Sequence, residues 1–64
     1  MEFWIARRKS KKLYLFFGKP QQIDNGKWFI LNNNYVDRGI KIDENLFPEI
    51  TFENSPKQIK LELL

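Results

Sequence analysis

The chain has 64 residues, 42% hydrophobic and 16% aromatic, with eleven Lys and Arg against eight Asp and Glu and a net charge of +3. A domain of this size buries only about 60% of the surface its unfolded chain exposes. With no Cys and no His, disulfides and a structural zinc are excluded as staples.

Six Phe, two Trp and two Tyr must supply the core, each ring burying roughly 150–250 Å². The N-terminal stretch Met1–Ala6 is apolar but short, and its cations follow it, which is the wrong order for a signal peptide. No apolar run approaches the length that spans a bilayer. The expectation is a single domain over residues 1–64, cytoplasmic, beginning at its natural methionine.

Phe3–Ala6 and Leu13–Phe17 read as the arms of a hairpin around Arg7–Lys12. With Lys9-Ser10 as a two-residue tip, Ala6 faces Leu13, Ile5 faces Tyr14, Trp4 faces Leu15 and Phe3 faces Phe16. One face then holds Trp4, Ala6, Leu13 and Leu15, and the other Phe3, Ile5, Tyr14 and Phe16. Both are apolar, which predicts a pair lying centrally in a sheet or wrapped by one.

Gly18 and Pro20 end that strand. In QQIDNGKWFIL, residues 21–31, Asn25-Gly26 is the preferred dipeptide of a two-residue type I′ turn. That register sets Asp24 opposite Lys27 and Ile23 opposite Trp28, cross-strand pairs worth about 0.2–1 kcal/mol each. Residues 32–39 are polar and turn-rich and read as a loop. Ile40–Ile42 alternates as a short strand, and Asp43–Pro48 predicts a turn or single helical turn in which Leu46 and Phe47 plug the core. Ile50–Glu53 alternates again.

The tail carries two patterns. Ser55-Pro56-Lys57-Gln58 matches a helix start, with Ser as N-cap and Pro at the first position. Ile59, Leu61 and Leu63 alternate with Lys60 and Glu62, the period of a strand, and the short remaining length favours the strand. The predicted fold is mainly β: an antiparallel meander of five or six strands, curled or closed into a small barrel, with a possible helical turn near 43–48 or at the C-terminus.

Charge is unevenly placed. Residues 1–20 hold six cations and one acid, whereas residues 21–64 hold five cations and seven acids. In the two-residue register Arg8 faces Lys11 and Arg7 faces Lys12, like charges opposed with no acid between Glu2 and Asp24. A phosphate backbone or an acidic protein face would relieve that repulsion. Against this, charged hairpin tips are ordinary, and strand lysines discourage aggregation. The candidate binding residues are Arg7, Arg8, Lys9, Lys11, Lys12 and Lys19, with Tyr14, Trp28 and Tyr35 as aromatic surfaces whose polar tips tolerate water. The other rings read as core.

Catalysis has little to work with. The usual neutral-pH base and the best nucleophile are missing, and Ser10 lies between Lys9 and Lys11 in a solvated tip instead of beside a desolvated lysine. Asp43, Glu44, Glu49 and Glu53 read as solvated acids, and Asp43-Glu44 lacks EF-hand spacing. No enzyme activity, cofactor or metal is expected.

The segments FWIARRKSKKLYLFFGKP (3–20) and LFPEITFENSP (46–56) bracket about half the chain. They resemble a class of short hypothetical proteins from gut-bacterial genomes and their phages. The resemblance implies a phage or mobile-element setting and transfers no active site. Relatives often have an acid in the first turn where this chain has Arg8, a departure that would make the cationic tip particular to this chain. The leading expectation is an accessory protein docking on an acidic host-protein surface through the basic hairpin. The alternatives are a nucleic-acid-binding module using the same cations, and a homodimer formed through an edge strand over Ile59–Leu63.

Overall fold

A computed structural model describes residues 2–23, 26–31 and 35–60, and over those residues the chain is all β, with no helix. Seven strands follow one another: β1 (Glu2–Arg7), β2 (Leu13–Phe16), β3 (Gln21–Ile23), β4 (Lys27–Leu31), β5 (Val36–Asp37), β6 (Ile40–Ile42) and β7 (Lys57–Lys60). They form two antiparallel sheets, ordered β6-β2-β1-β7 and β3-β4-β5, and neither closes into a barrel. The order is more than a meander, because the central hairpin β1–β2 is flanked on both sides by strands from the second half of the chain.

That central position explains the two apolar faces of β1 and β2. On one face Ile5 and Leu13 are buried with Ile50, and Leu15, Ile42, Phe47 and Ile59 pack around them. On the other, Ala6 and Phe16 are buried against Trp28, with Trp4, Tyr14, Ile30 and Phe52 alongside. The second sheet thus covers one face of the first, and the turn-rich segment after β6 covers the other. Among the described residues seven hydrophobic side chains are buried, and burial at about 1.5–3 kcal/mol for each large aliphatic or Phe side chain is the main driving force for so small a fold.

The register of the first hairpin differs by one residue from the expected one: Trp4 pairs with Phe16, Ile5 with Leu15, Ala6 with Tyr14 and Arg7 with Leu13. The loop has three residues, Lys9–Lys11. The Lys11 N–H donates to Arg8 O at 2.8 Å, the Arg8 N–H donates to Lys12 O at 2.8 Å, and Lys11 is left-handed at φ 78°. A two-residue type I′ turn needs positive φ at both central residues, here Lys9 and Ser10, while a three-residue loop needs it once. The slip exchanges the faces of β2. Leu13 and Leu15 join Ile5, and Tyr14 and Phe16 join Trp4 and Ala6. The expected opposition of Arg7 to Lys12 and Arg8 to Lys11 is corrected with it, since Arg7 lies opposite Leu13.

The second hairpin shows the same correction. Ile23 pairs with Lys27 and Gln22 with Trp28, leaving three residues between the strands. Gly26, the last of them, has φ 80°. Asp24 and Asn25 lie outside the described residues, as do residues 61–64 of the expected C-terminal edge strand. The strand reading of the tail holds over Lys57–Lys60. Ser55 caps no helix: its hydroxyl donates to Thr51 O at 2.6 Å and accepts from the Arg7 N–H at 2.9 Å. The segment 43–48 contains turns instead of a helical turn.

Candidate functional site: the cationic hairpin and its two flanks

Arg7, expected at the contact surface, is committed to the fold. Its Nε donates to Ile50 O, Nη1 to Lys11 O (2.7 Å) and Glu44 O (3.0 Å), and Nη2 to Leu46 O and Phe47 O (both 3.1 Å). A guanidinium has five N–H donors in a fixed fork, and here each bond ends on a main-chain carbonyl. The segment 44–50 is folded around this one cation, including Phe47, which is held at φ 50°. The Arg7 carbonyl in turn accepts from Trp28 Nε1 at 3.0 Å. Trp28 was expected to offer its ring to a ligand; it is 6% exposed, packed in the core and tilted against Phe52 at 6.2 Å. Its polar edge reaches Arg7 instead of water.

The remaining candidates divide by location. Lys9, Ser10, Lys11 and Lys12 are exposed on the tip. The tip is nonetheless tied to the second hairpin, since the Lys9 N–H donates to Gly26 O at 3.2 Å. Arg8 is half-buried with its guanidinium carbon 4.1 Å from the centre of the Tyr14 ring. That cation–π contact is worth about 0.5–2 kcal/mol and removes the Tyr14 ring face from other use. Arg8 Nε is buried and has no hydrogen-bond partner among the described residues. Lys19 lies at the other end of the hairpin, where its Nζ stands 5.7 Å from the Trp4 ring. Tyr35 is 62% exposed, next to β5 on the second sheet. The structure therefore gathers Lys9, Lys11 and Lys12, places Arg8 beside them, and leaves Lys19 and Tyr35 apart.

Two hollows flank the tip. A cleft of about 450 Å³ lies beside the tip, its lining shared by the cations Arg7, Arg8, Lys9 and Lys11 and by Glu44, Ile50, Phe52 and Glu53 of the later segment. A second groove, of about 320 Å³, is lined by Arg8, Lys27, Phe29, Val36 and Arg38, with no acid among the described residues. The groove was not foreseen. Lys27 and Phe29 share a strand face by simple alternation, but only the pairing of β5 with β4 brings Arg38 beside them.

The acids are spread. Asp43 Oδ1 accepts from the Asn45 N–H at 2.8 Å and Asp37 Oδ1 from the Gly39 N–H at 2.9 Å, both turn contacts. Among the described residues no group of three or more His, Cys, Asp and Glu is placed to hold a metal ion. No helix among them is long and apolar enough to cross a membrane. Comparison with protein-family models, curated proteins and solved structures finds no match.

Proposed function

We propose that this chain is a small non-enzymatic binding protein that docks on an acidic patch of a host protein through Lys9, Lys11 and Lys12, in the cytoplasm and in a phage or mobile-element setting. The observation that carries the docking surface is Lys11. A lysine held at φ 78° carries backbone strain of about 1–2 kcal/mol that glycine would avoid. The fold uses the left-handed backbone, because it presents Lys11 O to Arg7, but it makes no use of the lysine side chain, which is exposed. Strain retained at an exposed cation argues for a partner.

The flanking cleft favours protein over nucleic acid at this surface. Glu44 and Glu53 line it together with Lys9 and Lys11, and a phosphate chain laid there would meet both carboxylates. A protein loop can match a mixed set of charges around the apolar side chains of Ile50 and Phe52. The setting rests on the resemblance of residues 3–20 and 46–56, and the cytoplasmic location on the absence of Cys.

The test is capture from host lysate with wild type and with Lys9→Gln/Lys11→Gln/Lys12→Gln, leaving Arg7 and Arg8 in place. A protein retained by wild type and lost by the triple variant supports docking at the tip. Identical recoveries from both would remove it. Homodimerisation through β7 has weaker support: Lys57 and Lys60 are exposed along that edge, where lysine opposes strand-to-strand pairing.

A further inference from the structure

We infer that the groove on the outer face of the second sheet is a binding site for single-stranded nucleic acid, separate from the docking tip. Along β4, Trp28 and Ile30 turn toward the first sheet and pack in its core, so Lys27, Phe29 and Leu31 occupy the opposite face. Phe29 is half-buried and belongs to neither core cluster. The pairing of Leu31 with Val36 and Ile30 with Asp37 carries β5 alongside, which brings Arg38 to the same groove as Phe29. Arg8, seated over the Tyr14 ring, lines the same groove.

Among the described residues, the lining holds one aromatic ring and three cations and no carboxylate. That is the combination single-strand binders use: cations follow the phosphates while bases stack on exposed rings, with little sequence preference. The apolar strip continues beyond Phe29 through Leu31, 57% exposed, and Val36, 43% exposed, so a strand leaving the ring still finds surface for its bases. Charge steers the choice of site within the molecule, because Glu44 and Glu53 line the cleft beside the tip while every charged residue described in this groove is a cation. A duplex keeps its bases stacked inside and gains nothing from Phe29.

The test is fluorescence anisotropy with a labelled oligothymidine of about ten nucleotides, at several salt concentrations. The comparison ligands are a duplex of the same length, inorganic polyphosphate and an oligoglutamate peptide. The single strand is expected to bind most tightly. Phe29→Leu, which keeps apolar bulk and loses the ring, weakens it by about tenfold. Arg38→Gln, at an exposed position, lowers the salt slope by about 0.7. The Lys9/Lys11/Lys12→Gln variant retains the ring effect, which separates this site from the tip. The combined fluorescence of Trp4 and Trp28 reports that each variant is folded. Equal binding of the duplex, the polyphosphate or the acidic peptide would overturn the proposal, as would absence of binding. So would a folded Phe29→Leu variant with unchanged affinity, or a salt slope unmoved by Arg38→Gln.

Discussion

Both hairpins turn through three residues, and in both the last loop residue is left-handed, Lys11 at φ 78° and Gly26 at φ 80°. The same backbone solution is met by different residues for different reasons. Gly26 is required twice over: its φ favours glycine, and a Cβ there would lie 2.6 Å from Lys9 Cβ, because the two loops touch. Lys11 has open surroundings and tolerates a side chain at the expense of strain. Gly26 is buried and set by packing, while the exposed Lys11 is a residue whose side chain the fold does not need. Stability and binding should therefore respond in opposite ways at the two positions.

The largest effect is expected from the group that anchors the first loop. Arg7→Ala removes every guanidinium bond to the 44–50 segment and to Lys11, and should destabilise by about 3 kcal/mol even with part of the site open to water. In a domain this size that lowers Tm by roughly 12–24 °C, measurable by thermal unfolding. Arg7→Lys should recover only part of it, since an ammonium has three donors and no planar fork. Gly26→Ala comes next, at about 2 kcal/mol from strain and the contact with Lys9. Adding Lys9→Gly should restore the steric share and leave the strain, a split that a double-mutant cycle reads directly.

Trp28→Phe keeps the ring in the core but removes the Nε1 donor to Arg7 O, and should cost about 1 kcal/mol in denaturant unfolding. The smallest effect has the opposite sign. Lys11→Gly relieves the left-handed strain, less the entropy glycine adds to the unfolded chain, for a net gain of about 0.5 kcal/mol. If capture of a protein partner weakens while stability rises, the lysine is retained for binding. Lower stability in Lys11→Gly would show that the two turns are not equivalent after all.

Much of the architecture was legible in the residues. The β class follows from short alternating apolar runs and the turn residues between them. The central position of β1 and β2 follows from apolar side chains on both faces, and the cleaner strand period of Ile59 and its neighbours outweighed the helix-start pattern at Ser55. Register was not legible, because it depends on whether a loop closes over two residues or three. A single φ decides that, and each slip exchanges a whole strand face. Trp28 looked like a surface ring because alternation alone does not say which side of a second sheet meets the first.

Composition, charge asymmetry and periodicity thus determined a small β protein with its cations concentrated in the first hairpin. The tertiary structure alone decided what those cations do. Arg7 sits among cations in the sequence, yet four of its acceptors lie 37 to 43 residues away. They are main-chain carbonyls, which every residue carries and no side chain announces. The groove arises in the same way: Arg8, Phe29 and Arg38 have no common spacing, and only sheet packing makes them neighbours.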